Sequence, residues 1–154
     1  MHHVKTLLEE AQERMLRADH LAFTTYPQLQ EPKLLALIVE NTNIVFLKCM
    51  DALLYHERMY KRINPVKGDF DSEMRVLKGH CFKRFGFPDS VAQMIVEVKS
   101  LAEKKQDCSM EFARKDQYVL CSDRYKMDFL NIRNVRGYVD GARKFLGHTL
   151  EVLR

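Results

Sequence analysis

Arginine and histidine recur in this chain at one suggestive spacing. Arg14 precedes His20, Arg75 precedes His80 and Arg143 precedes His148, with four or five residues between the members of each pair. That pairing suits metal-independent RNA cleavage. An arginine stabilises the charge of a phosphorane-like transition state, while a histidine passes a proton near neutral pH. Of the other histidines, His2 and His3 lie at the chain start and read as frayed. His56 shares an apolar stripe with Cys49, Ala52 and Met59, which predicts a hydrogen-bonded histidine in the core or at its rim. His20 adjoins Asp19 and His56 adjoins Glu57, but neighbours on a helix point about 100° apart, so neither pair predicts a preformed dyad.

Several other chemistries lack their signatures. No Glu is followed three residues later by His, as a di-iron bundle would need. The metalloprotease, phosphate-loop, dinucleotide and nucleophile-elbow motifs are also missing. The cysteines, Cys49, Cys81, Cys108 and Cys121, are 32, 27 and 13 residues apart, so no close pair predicts a zinc ribbon or a redox motif. Cys49 and Cys81 read as small core residues. Cys108 and Cys121 flank an irregular segment. Neither a metal nor a cofactor is expected.

The elements that must hold these groups are mainly helical. Gly and Pro together number only 10 of 154 residues, and 46% of the chain is hydrophobic. Such a composition predicts one helical-bundle domain over residues 1–154, with about five helices and a small β-hairpin before the last. Val4, Leu7, Leu8, Ala11, Met15, Ala18 and Ala22 set a first helix over about 4–23, which Thr24-Thr25-Tyr26-Pro27 should break. A long helix over about 33–62 is apolar around much of its circumference and should be central. Phe70 to Phe85 predicts a shorter helix with Asp69 or Asp71 as N-cap and Gly86 as its stop. Pro88 opens another that runs out near 104–107. Residues 118–129 alternate like a hairpin. Asn131 can cap the last helix, whose Gly137, Gly141 and Gly147 weaken it by about 1 kcal/mol each. Close helix approach or a ligand contact would compensate.

Charge is unevenly spread. Residues 1–60 carry 6 positive and 8 negative groups, residues 61–86 carry 7 and 3, and residues 108–154 carry 9 and 6. This permits attraction to phosphate-rich partners. On the last helix Arg133, Arg136, Arg143 and Lys144 fall within one broad face, which Arg114, Lys115, Arg124 and Lys126 would extend. Tyr118, Tyr125 and Tyr138 would offer stacking groups for bases. No apolar run is long enough to span a membrane, and the first residues carry no export signal, so a cytoplasmic protein is expected.

A short, basic-leaning bundle with these Arg/His pairs resembles the HEPN superfamily. The run from Arg17-Ala18-Asp19-His20-Leu21 to Leu53-Leu54-Tyr55-His56-Glu57 is similar to uncharacterised archaeal helical bundles. The family motif is Arg, a polar residue such as Asn, three further residues and then His. Arg133-Asn134-Val135-Arg136-Gly137 begins that pattern, but Tyr138 stands where the family has His. Arg143-Lys144-Phe145-Leu146-Gly147-His148 keeps the full spacing with Lys in the polar slot. The resemblance implies a non-catalytic module binding RNA, a nucleotide or a partner protein, through Arg133, Arg136, Tyr138, Arg143, Lys144, Arg124 and Lys126. One alternative is an active ribonuclease using Arg143 and His148, or a site shared across a homodimer. The other is a bundle serving protein assembly alone.

Overall fold

The computed structural model describes residues 2–107, 110–114, 117–121 and 127–153, without the side chains of 105–107, 110–114, 117, 121, 127 and 128. Arg124 and Lys126, Lys115, Tyr125, the side chain of Arg114 and the spatial relation of Cys108 to Cys121 lie outside it. The chain forms a mainly α bundle of five rods, with a small antiparallel sheet before the last.

Helix α1 (His2–His20) buries Val4, Leu7, Leu8, Ala11, Met15 and Ala18 against the long helix, as its stripe predicts. Its end differs from the expected break. The rod continues through a π-helical turn (Leu21–Thr25) into α2 (Tyr26–Leu29), and stops only at Gln30, whose φ is +47°. Proline explains the irregularity. The Tyr26 N–H, which an α-helix would give to Ala22, goes to the Leu21 carbonyl, and the next residue, Pro27, has no N–H. The buried Ala22 carbonyl is left without those backbone donors. Arg136 supplies them from the last helix, with Nε and Nη2 each 3.2 Å from the Ala22 oxygen.

Helix α3 (Lys33–Met59) is central and packs on α1, α6 and α7. Its C-terminus closes with Lys61 at φ +57°, the Lys61 N–H donating to Arg58 and the Arg62 N–H to Glu57, both at 2.9 Å. This pair of bonds is a Schellman closure with lysine where glycine is usual. The third rod starts at α4 (Phe70–Val76), capped by Asp69, whose carboxylate accepts from the Ser72 N–H. A second π turn (Leu77–Cys81) leads into α5 (Phe82–Phe85), which stops at left-handed Gly86. Helix α6 (Asp89–Asp107) follows. Cys49 and Cys81 are both fully buried, as their positions predict.

Strands β1 (Met110–Arg114), β2 (Gln117–Cys121) and β3 (Met127–Leu130) form a sheet in the order β1-β2-β3. The expected hairpin is β2–β3. β1 carries no clear strand signal, because Glu111, Ala113 and Arg114 dilute the β-forming residues, although it pairs residue for residue with β2. Tyr118, Leu120 and Leu130 join the helical core. Asn131 caps α7 (Ile132–Val152), accepting from the Asn134 N–H at 2.9 Å.

The glycines of α7 divide. A Cβ on Gly141 would meet the Met94 sulfur at 2.1 Å, so this residue serves the close approach of α6. Nothing lies within 4 Å of the corresponding points on Gly137 and Gly147. Gly147→Ala should therefore stabilise the fold by about 1 kcal/mol. Gly141→Ala, which must displace the Met94 thioether, should show none of that gain when urea midpoints are compared. Among the described residues, no helix is long and apolar enough to cross a membrane.

Candidate functional site

Among the described residues, ionisable side chains crowd together at the C-terminal end of α3, where Glu57 has no solvent exposure. Its position follows from the core pattern. Phe46, Met50, Leu53 and Glu57 step along α3 at helical spacing, so the carboxylate occupies a slot that three apolar residues lead into. Burying an unpaired carboxylate would be costly, and here four side chains satisfy it.

Three of these partners are hydrogen-bonded to Glu57 and the fourth, Arg84, is an ion-pair contact, two partners to each oxygen. Oε2 accepts from Arg62 Nη1 at 2.8 Å and lies 3.0 Å from His56 Nδ1. Oε1 lies 2.9 Å from His80 Nε2 and 3.1 Å from Arg84 Nε. Backbone irregularities deliver three of these groups. The left-handed Lys61 turns the chain back so that Arg62 meets Glu57, five residues earlier. On the facing rod, the second π turn carries His80, and Arg84 follows one turn later in α5. The contact between His56 and Glu57 corrects the expectation that these adjacent residues would not form a dyad. The 100° separation holds for the Cα–Cβ bonds, but one further methylene and its free torsions let the Glu57 carboxylate swing sideways to the ring.

Burial is the largest single influence on the Glu57 carboxyl and pushes its pKa upward. The hydrogen bonds from Arg62, His80 and His56 together outweigh it and hold the group below its ordinary 4.5. An imidazole nitrogen facing a carboxylate carries the proton, so in their neutral forms His56 and His80 present Nε2 and Nδ1 as acceptors. Cys81 is close enough to feel the Glu57 charge. Burial first, and that charge second, push its thiol up to about 12, so it is no nucleophile at neutral pH.

The cluster opens to solvent on its basic side. The Arg62, Arg84 and His80 side chains are 34%, 43% and 32% exposed, while His56 is 12% exposed. Arg62 also lies over the Tyr60 ring at 4.9 Å. Two guanidinium groups against one carboxylate leave a positive balance before the exposed Lys61 and Lys83 beside them are counted. The positive excess of residues 61–86 thus has its centre here.

The residues expected from sequence lie elsewhere. Arg136 and Arg143 face the first rod. Arg136 holds the Ala22 carbonyl, and Arg143 pairs with Asp140 at 2.6 Å and with Asp19. The Phe23 ring lies 5.2 Å from the first guanidinium and 5.6 Å from the second. His148 faces the start of α6, with its ring centroid 4.0 Å from that of Phe87. Arg143 and His148 therefore meet different neighbours on different sides of α7. Lys144 borders the same hollow as His148, Arg133 is exposed, and half-buried Tyr138 lines a separate hollow with Phe129. Of the other Arg/His pairs, Arg14 binds Asn41, and only His80 of the Arg75 pair reaches the Glu57 cluster.

Glu57, Arg62 and Arg84 are not among the site residues that the sequence predicts. The available signal was an ionisable residue continuing an apolar stripe, followed by the most basic stretch of the chain. Among the described residues, no group of three or more His, Cys, Asp or Glu side chains is arranged to hold a metal ion. Fold and site together define a mainly α bundle with a buried carboxylate, ringed by four basic side chains, at a basic end. Comparison with protein-family models, with curated proteins and with solved structures returns no match.

Proposed function

We propose that this chain is a HEPN-like RNA-binding bundle whose phosphate contacts lie at the basic end around Glu57. The observation that carries this reading is the pair of partly exposed guanidinium groups, Arg62 and Arg84, oriented by one buried carboxylate. A guanidinium has five donors, and each gives Glu57 a single short contact, so several remain for phosphate oxygens. Anchoring on a buried acid removes much of the side-chain freedom that phosphate binding would otherwise have to quench. Lys61 and Lys83 add long-range attraction.

The test is fluorescence anisotropy of a labelled single-stranded RNA at several salt concentrations. Three or four phosphate contacts predict a slope of log affinity against log salt of about −2 to −3. The double variant Lys61→Gly/Lys83→Gln should flatten that slope by about 1.4, while Arg133→Ala leaves it unchanged. Glycine is chosen at 61 because it adopts the positive φ readily. An unchanged slope in the double variant would remove the basic end as the contact surface.

The orientation of His80 favours a second reading, metal-independent RNA cleavage. With Nε2–H turned to Glu57, Nδ1 can take the proton of a 2′-hydroxyl. That oxygen attacks the adjacent phosphorus, the arginines carry the developing charge, and the 5′-oxygen leaves with a proton from solvent or an imidazolium. Cleavage of labelled RNA in the presence of a chelator, lost in His80→Gln, is the expected result of this reading. Binding without cleavage would leave the RNA-binding reading alone.

A further inference from the structure

The basic end also presents an aromatic ring to solvent. Tyr60 directly follows the last residue of α3 and is 54% exposed. Its backbone is fixed. The Tyr60 N–H donates to the His56 carbonyl at 3.2 Å, and left-handed Lys61 closes the turn after it. The ring has two aromatic or cationic neighbours: the His56 ring, with centroids 4.8 Å apart, and the Arg62 guanidinium, 4.9 Å from the Tyr60 centroid. Both are tied to the same Glu57 oxygen, His56 through Nδ1 at 3.0 Å and Arg62 through Nη1 at 2.8 Å. Two groups held by one oxygen cannot be centred on opposite faces of the ring at those distances. Tyr60 keeps its exposure on the side they leave.

Resting on the reading that RNA contacts this end, we infer that Tyr60 stacks an unpaired base, so that the site takes single-stranded rather than base-paired RNA. A base in a single strand can turn its face outward. A duplex keeps those faces in its own stack and offers only phosphates, sugars and groove edges. Tyr60 and Arg62 therefore meet the two halves of one nucleotide, the ring against the base and the guanidinium against the phosphate. Every base has a π-face, so little sequence preference is expected. The buried carboxylate contributes here as well. It holds His56 and Arg62, which flank the ring, and so limits the side-chain motion that stacking must arrest. Charge argues against an apolar protein surface as the occupant. Lys61 and Arg62 follow the ring directly in the chain, and covering them without anionic partners would offset the apolar contact.

The experiment compares three labelled oligonucleotides of equal length on the whole protein by fluorescence anisotropy: a single-stranded RNA, its base-paired duplex, and an abasic strand that keeps only the sugar–phosphate backbone. At about 0.15 M salt, where long-range attraction is screened, the single strand should bind about tenfold more tightly than either of the others. Tyr60→Leu, which keeps apolar bulk beside Arg62, should remove that advantage and leave the duplex and abasic affinities within about twofold of wild type. Tyr60→Phe should retain it. The Lys61→Gly/Lys83→Gln variant should weaken all three strands, because it acts through phosphates. Salt-dependent binding in which wild type holds the duplex or abasic strand as tightly as the single strand overturns the inference alone. So does single-strand affinity unchanged in Tyr60→Leu. Absence of salt-dependent binding to all three overturns the RNA reading together with it.

Discussion

Replacing Glu57 with alanine is expected to destabilise the protein by about 3 kcal/mol, at the lower end of the cost of breaking a buried ion pair. The lower end applies because Arg62, Arg84 and His80 are partly exposed and regain water when the carboxylate is removed. The loss is large against a typical domain stability of about 5–15 kcal/mol, and urea denaturation will read it directly. Glu57→Gln keeps the shape but replaces one acceptor by an amide that faces donors, so about 2 kcal/mol is expected. The two variants also differ from wild type in pH dependence. The folded-state pKa of Glu57 lies below its ordinary value, so its contribution is complete above that value and is lost as pH falls through the folded pKa. Wild-type stability should therefore drop more steeply below about pH 4.5 than that of Glu57→Gln. Parallel pH profiles would show that the basic partners of Glu57 do not favour its ionised form.

Arg136→Ala should cost about 2–3 kcal/mol, the value of a charge-assisted hydrogen bond whose loss leaves a buried acceptor unpaired. This size follows from the π turn, since Ala22 is fully buried and its carbonyl faces a proline where a donor would stand. A double-mutant cycle makes the argument specific. In a Pro27→Ala background the new N–H at position 27 can bond back to Ala22, so losing Arg136 should matter less. A coupling energy of about 1 kcal/mol or more between the two positions is expected. Additivity within about 0.3–0.5 kcal/mol would mean that Arg136 stabilises the fold through its packing on Phe23 instead.

These two positions also show what sequence reasoning can and cannot reach. Apolar periodicity located α1, the long central helix and the stripe of α7, because burial imposes it on every helix facing a core. Local capping chemistry narrowed one N-cap to Asp69 or Asp71 and pointed to Gly86 and Asn131 for a similar reason: each acts within three or four residues. The π turns were not legible. A 3.6-residue reading treats Pro27 as a stop, whereas one wider turn carries the helix past it once a distant arginine replaces the missing donor. The Glu57 cluster was only half legible. His56 and His80 stood out as reactive types, but Arg62 reaches the carboxylate through a left-handed lysine, a geometry that sequence assigns by default to glycine or asparagine. The spacing of Arg143 and His148 looked catalytic in one dimension. Five helical steps rotate the side chains by about 140°, and each found a different neighbour.

The most direct measurement of the central claim is an NMR titration of isotope-labelled protein with a short single-stranded RNA at low salt. The side-chain signals of Arg62, Arg84 and His80, and the amides around them, should shift progressively to saturation, while those around Arg133 and Arg143 on α7 stay in place. Saturable shifts confined to α7, or none at all, would contradict the assignment of RNA contact to the Glu57 end.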